Sequence, residues 1–295
     1  MDISYLKTHP HVIPELIHHQ RIRATTIHRG PDANIGAELL TLDDGTQLFA
    51  KSGKGLPPDF FHAEARGLRW LAEPAALPVP EVIAAFDDML LTRWVPPGDA
   101  TPTGAEELGR GLAELHRPDL NGVDARFGTD LDGYVGTLTL DNTPASSWAE
   151  FFITRRCQPY LRQARDAGVF DADQATELES LIGRIPELAG DPEPPSRIHG
   201  DLWSGNVHYD VAGLPWLIDG AAAHLGHRET DLATLLLFGA PFAETAIAAY
   251  NEVSPLQTGW RDRVPMHQLH LLLVHAVTFG SSYAEAVFAA ARTLR

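Results

Sequence analysis

Between two strand-like runs, the stretch RIHGDLWSGNVHYD (residues 197–210) crowds a histidine, two aspartates, an asparagine and a tryptophan into one loop. His199, Asp201, Leu202 and Asn206 have the spacing H-x-D-L-x-x-x-N, and Asp219 ends the apolar run PWLID that follows. Taken singly, each Asp and Asn is an ordinary turn residue beside Gly205 and Gly213. Taken together they demand more. A tight turn must present a carboxylate and an amide to one side, and the next hairpin must bring up a second carboxylate. The fold therefore has to leave a cleft beside this loop.

Bulk properties narrow what that cleft serves. The chain has 295 residues, 44% hydrophobic and 21% charged, the make-up of an ordinary globular protein. That length suits one large domain or two lobes sharing a cleft. A formal charge of −16 without a basic stripe disfavours nucleic acid and anionic membranes as partners. The start MDISYLKTHPHVIPELIHHQ lacks the regions of a signal peptide, and no run of about 18 apolar residues suggests a membrane span, so a cytoplasmic location is expected. Cys157 is the single cysteine and is expected as a buried small hydrophobe.

Periodicity orders the elements. RATTIH, GAELLTL and TQLFAK read as antiparallel strands, the last two joined by a turn at Asp43, Asp44 and Gly45. Asp59 is placed to cap a helix FFHAEARGLRWLAE. VPEVIAAF and MLLTRWV read as two more strands before PPGDATPT breaks the pattern. Beyond it, capping-box patterns at Thr103/Glu106 and Ser147/Glu150 start helices, and tracts 229–251 and 265–294 read as long helices. The expected fold is α+β and bilobal: a small antiparallel-sheet lobe over residues 1–95 and a larger, mainly helical lobe over 96–295.

On the first helix, Phe61, Glu64, Leu68 and Leu71 share a face, so Glu64 is a carboxylate within an apolar stripe and requires a partner. Lys51, ending the strand TQLFAK, is the expected one. A strand lysine paired with a helix glutamate, together with the loop of residues 199–206, is the arrangement of protein-kinase-like phosphotransferases. Their chemistry needs a carboxylate to receive a hydroxyl proton and an amide oxygen to hold Mg²⁺ on nucleotide phosphates. HRGPDANIG supplies only Gly30 and Gly36 for a phosphate-covering loop, not G-x-G-x-x-G. Arg93, Trp94 and Val95 occupy the hinge, where main-chain groups are expected to read adenine. HLGHRE is the one compact histidine and carboxylate cluster, and no transition-metal spacing accompanies it.

The sequence resembles the fructosamine kinase (ketosamine 3-kinase) family, within the aminoglycoside-phosphotransferase-like kinases. HGDLWSGN is similar to that family's catalytic loop. RFGTDLDGYVG, SSWAEFFITRRCQPYL, GHRETDLATLLLFG and the block from Tyr250 to Tyr283 look like its remaining segments in order. The resemblance implies ATP-dependent phosphorylation of the sugar 3-hydroxyl of ketosamines, free or protein-bound, as a step in removing the adduct. It implies Asp201 as catalytic base, Asn206 and Asp219 as Mg²⁺ ligands, and Lys51 with Glu64 as the phosphate-positioning pair. It further implies His199 and Asp231 as supports of the catalytic loop, Trp203 as a platform for the sugar, and His224 and Arg228 as substrate contacts. The family usually follows its metal aspartate with proline, whereas here Gly220 follows. An aminoglycoside or choline-like acceptor, or a nucleotide-binding regulator without turnover, are the alternative readings, and a monomer is the simplest expectation for assembly.

Overall fold

A computed structural model describes residues 3–18, 23–29, 34–118 and 126–295. Two short helices, α1 (Ile3–Thr8) and α2 (Ile13–His18), precede a five-stranded antiparallel sheet. Its strands are β1 (Arg23–Arg29), β2 (Ile35–Thr41), β3 (Gln47–Gly53), β4 (Val82–Ala85) and β5 (Met89–Arg93), in the spatial order β1-β2-β3-β5-β4. The expected turn is present: Asp44 Oδ1 accepts from the Thr46 amide at 2.9 Å, and the Gly45 amide donates to Leu42 O. Alternation along β2, β3 and β5 sends Leu40, Leu48, Ala50 and Leu91 into one core with Leu6 and Ile13 of the leading helices.

Helix α3 (Phe60–Ala72) crosses the other side of the sheet. Phe61, Leu68 and Leu71 are buried, and Glu64 is buried among them. Asp59 precedes the helix but does not cap it, because its carboxylate instead accepts a 2.5 Å hydrogen bond from the Tyr134 hydroxyl. The cap of helix α4 (Pro102–Leu115) lies two residues before the expected Thr103: Thr101 accepts from the Gly104 amide, and Pro102 takes the first turn, where its missing N–H costs nothing.

The rest of the chain is mainly helical, with short hairpins inserted. The hairpin β6 (Gly133–Val135) and β7 (Leu138–Leu140) comes first. Helix α5 (Trp148–Phe151), capped by Ser147 as expected, runs through a π-helical segment at 152–157 into α6 (Gln158–Asp166). Helices α7 (Ala172–Ile182) and α8 (Ile185–Leu188) lead to strand β8 (Ser196–Ile198). Then come β9 (Val207–Tyr209), β10 (Pro215–Leu217) and β11 (His224–Gly226), with β9 paired to β10 and β11 to β8. The two long tracts are each broken by glycine. Helix α9 (Arg228–Leu237) stops before Gly239 and α10 (Ala243–Val253) resumes; α11 (Trp260–Phe279) stops at Gly280 before α12 (Ala284–Arg292). By length and composition Trp260–Arg292 is long and apolar enough to cross a membrane, yet Leu269, Leu272 and Leu273 of α11 lie in the protein core. Cys157 is buried, which pushes its thiol far above the usual range.

A second core joins α4, α9 and α10 to the loop 199–206 and its hairpin: Leu108, Leu112, Leu202, Val207, Leu217, Leu232 and Tyr250 pack together. Leu202 is completely buried, which moors the loop between Asp201 and Trp203, both of which line the cleft.

Candidate active site

The loop's backbone is held from behind by Asp231. Its Oδ2 accepts from the His199 amide at 2.7 Å and its Oδ1 from the Gly200 amide at 2.9 Å. His116 on α4 reaches the same carboxylate at 3.3 Å and is itself met by the Tyr250 hydroxyl. Burial alone would raise the Asp231 carboxyl, but bonds from His116 and the His199 amide outweigh it and hold the pKa below its ordinary value. The His199 ring turns inward and donates through Nε2 to Ile218 O at 2.8 Å, while Nδ1 accepts from the Asp201 amide. One imidazole thereby ties the strand entering Asp219 to the turn carrying Asp201.

On the cleft side, Asn206 Nδ2 donates to both the carbonyl and the Oδ2 of Asp201, at 2.8 and 3.2 Å. This fixes the carboxylate and leaves the amide oxygen of Asn206 as the atom offered to a cation. Lys51 Nζ lies 2.9 Å from Glu64 Oε2 and 3.1 Å from Asp219 Oδ2, so β3, α3 and the hairpin β9–β10 meet at one ammonium. Burial would depress that ammonium, but the charges of Asp219 and Glu64 override it and hold the lysine above its usual value. Burial pushes Asp201 up to about 8, and the nearby Asp219 charge adds to the effect against the Asn206 hydrogen bond. Asp219 adopts the left-handed conformation (φ 59°), unusual for a residue with a side chain.

The approach of α3 to this turn depends on two glycines. A Cβ on Gly67 would sit 1.8 Å from the Gly220 carbonyl oxygen, and one on Gly220 would sit 2.7 Å from the Leu68 amide. Gly220 thus stands where backbone meets backbone, a physical reason for the departure from proline. A similar contact shapes the loop itself, since the Trp203 indole lies over Gly205 where a Cβ would come within 2.3 Å of the ring. Trp203 is 38% exposed and is not a core anchor.

These groups line one cleft of about 900 Å³ that runs from Gly36, Thr92 and Trp94 on the sheet side to Asp201, Asn206 and Asp219. Arg93 and Val95 line it too, with the Val95 carbonyl accepting from His208 Nε2 at 3.0 Å. Gly30 lies outside the described residues. A lysine, three acids and an amide around an elongated cleft could hold phosphate and a hard cation such as Mg²⁺ through their oxygen donors.

A model of the fructosamine kinase family matches residues 8–294. The chain belongs to that family. This fructosamine kinase family member is 31% identical over 245 residues to the chloroplastic protein-ribulosamine 3-kinase of Arabidopsis thaliana, covering 81% of this chain and 73% of the relative. It is 34% identical over 249 residues to a Thermus thermophilus protein assigned as a ketoamine kinase, covering 83% and 86% of the two chains. A crystal structure of a Thermobifida fusca protein assigned as a fructosamine-3-kinase superposes with TM-score 0.84 at 43% identity, over 92% of this chain and 93% of that one. At 17% identity and TM-score 0.66, an aminoglycoside phosphotransferase bound to ADP and hygromycin B shares the fold, over 96% and 98% of the chains. The family is one of kinases that use ATP, and the fold is that of protein-kinase-like phosphotransferases.

Two sequence expectations for this family member are corrected by the structure. Arg228 does not line the cleft: its guanidinium forks onto Glu193 at 2.7 and 2.8 Å and reaches Ser254 and Pro255, fastening α9 to the loop after α10. His224 is buried behind the loop, where Nδ1 meets Ala222 O at 2.7 Å and its ring packs on Phe151. Both neighbour Asp219 in sequence, but β11 turns His224 inward and Arg228, at the start of α9, turns to Glu193. His227 and Glu229 converge with His267, yet the Glu229 carboxylate is already forked by the Arg263 guanidinium at 2.6 and 2.9 Å. That cation satisfies the acid, so the cluster is structural.

The sequence does not single out Tyr134, Phe238, Phe279 or Tyr283, and it raises His116 and His275 only as metal candidates that their spacing does not support. Tyr134 stands within a segment already similar to a family block, a signal that was available. His116 and the other rings sit in helical tracts whose local pattern reads as core.

Proposed function

We propose that this chain is an ATP-dependent ketosamine 3-kinase, transferring the γ-phosphoryl group to the sugar 3-hydroxyl of a ketosamine, free or protein-bound. The observation that carries it is the convergence of Lys51, Glu64 and Asp219 on one ammonium beside the Asp201–Asn206 pair, in a chain of this family. In this reading residues 1–95 form the nucleotide-binding lobe and 96–295 the catalytic and acceptor lobe.

Asp201 accepts the proton of the 3-hydroxyl as its oxygen bonds to the γ-phosphorus, and the bond from that phosphorus to the β,γ-bridging oxygen breaks, releasing ADP. Burial raises the Asp201 carboxyl above its ordinary value, which makes the ionised carboxylate a stronger acceptor for that proton. Lys51 neutralises phosphate charge, and Glu64 orients Lys51. Asn206 and Asp219 would hold Mg²⁺, which would supply neutralising charge to the phosphates. Most of the acceleration comes from positioning and charge rather than covalent participation. Phosphorylation next to the ketosamine carbon destabilises the adduct, which makes the reaction a step in deglycation.

ADP release is measured with ribuloselysine and fructoselysine beside an aminoglycoside and choline. Turnover restricted to the ketosamines is expected. Turnover restricted to the other alcohols, or nucleotide binding without any acceptor, would overturn the proposal.

A further inference from the structure

The helical region closes the acceptor end of the cleft with an aromatic wall that phosphotransfer does not use. Trp203 meets Phe238 edge-on, with ring centroids 6.1 Å apart. Phe238 meets His275 at 5.1 Å, and His275 touches Phe279 at 5.5 Å and Tyr283 at 4.9 Å. All five line the same cleft as Asp201. They come from four places: the catalytic loop, the end of α9, the last turns of α11 and the turn after it. Phe238 and Phe279 are 40% and 52% exposed, so large apolar faces are left open to water beside a reaction centre. Clustered exposed rings of this kind mark a surface that is covered in use.

The wall offers mainly ring faces. Thr278 gives its hydroxyl proton to Val274 O, and His275 gives its Nδ1 proton to Leu271 O, both within α11. Burial lowers the His275 pKa, which keeps that ring neutral beside a cation. Apart from the Trp203 indole N–H, the His275 Nε2 and the Tyr283 hydroxyl, sugar hydroxyls find little here to bond. The other half of a ketosamine is different: its nitrogen is a protonated secondary amine bearing a carbon substituent. Ring faces attract an ammonium, and they bury hydrocarbon.

Resting on the ketosamine kinase reading, we propose that Phe238, His275, Phe279 and Tyr283, beside the Trp203 sugar platform, form the subsite for the amine half of the acceptor, taking the ammonium and the hydrocarbon chain attached to it. The subsite selects ketosamines by their amine and favours longer apolar substituents.

The test is ADP release with ribulose adducts of methylamine, propylamine and hexylamine, on the native protein and on Phe279→Ala and Tyr283→Ala. Each methylene buried on the wall strengthens binding, so kcat/KM is expected to rise at least about tenfold from methyl to hexyl, mainly through KM. In both variants the hexyl-to-methyl ratio is expected to fall below about threefold as the wall is removed. A flat series on the native protein, with every adduct phosphorylated, would overturn the subsite and leave the kinase reading standing. A ratio unchanged in both variants would overturn it as well. If no adduct is phosphorylated, the kinase reading itself fails and the subsite falls with it.

Discussion

Asp201 lies between a glycine whose amide is bound by Asp231 and a leucine sunk in the core, so its carboxylate is delivered on a backbone held from both sides. Replacing that carboxylate by an amide of the same shape removes the proton acceptor and little else. Asp201→Asn is expected to lower kcat about 10²- to 10⁴-fold, the range for a general base. Nucleotide affinity, followed by calorimetry, should stay within about threefold, because the proposal gives the phosphate contacts to Lys51. An Asp201→Asn protein turning over at the native rate would refute the assignment. At this scale the sequence was most readable where a polar side chain had no bland place to go: Glu64 in an apolar stripe needed Lys51, and the structure pairs them at 2.9 Å. It was least readable for His224 and Arg228. Closeness in the chain to Asp219 says nothing about which face of a three-residue strand or helix start a side chain takes.

Between elements, the decisive contact is α3 on the turn after Asp219, made backbone to backbone through Gly67 and Gly220. Gly67→Ala drives a methyl group into the Gly220 carbonyl, so α3 must withdraw and pull Glu64 from Lys51, or the turn must withdraw and shift Asp219. The expected result is kcat/KM for ATP reduced by about tenfold or more, while a helix-favouring Ala limits the loss of melting temperature to a few degrees. Gly183→Ala, whose methyl meets only ordinary contacts at 3.4 Å, serves as control and should match the native enzyme. Native kinetics in Gly67→Ala would show that the contact does not position the site. Strand and helix periodicities were legible here, but contacts between distant segments were not. The Asp59 carboxylate looks like a cap until Tyr134 is seen to claim it, and β8 with β11 are three-residue strands whose pairing carries no local signature.

For the molecule as a whole, the larger region carries a set of buried neutral histidines. Burial lowers His224 and His227 to about 3 and also depresses His267 and His270. The unfolded chain protonates these rings as pH falls through about 6.5, whereas the folded chain does not, so the unfolded state binds more protons and stability drops. The loss should begin below about pH 6.5 and continue towards 3, steepened below about 4.5, where unfolded Glu229 also takes a proton that its partners in the fold resist. Urea midpoints measured at pH 7.5, 6 and 5 should therefore fall in that order. Equal midpoints would mean that the rings titrate normally. The overall layout, a sheet followed by helices around a cleft, was legible because alternation gives way to helical spacing near residue 95. Helices α1 and α2 were not, being six residues each and interrupted by Pro10.

The measurement that bears most directly on the central claim is the identity of the product. Ribuloselysine is incubated with ATP and Mg²⁺, and phosphorus NMR with mass spectrometry locates the transferred group, with Asp201→Asn run alongside. The account predicts a phosphate ester on the sugar O3, formed by the native protein and at least about a hundredfold more slowly by the variant. ADP appearing with no sugar ester, or an ester formed equally fast by Asp201→Asn, would contradict it.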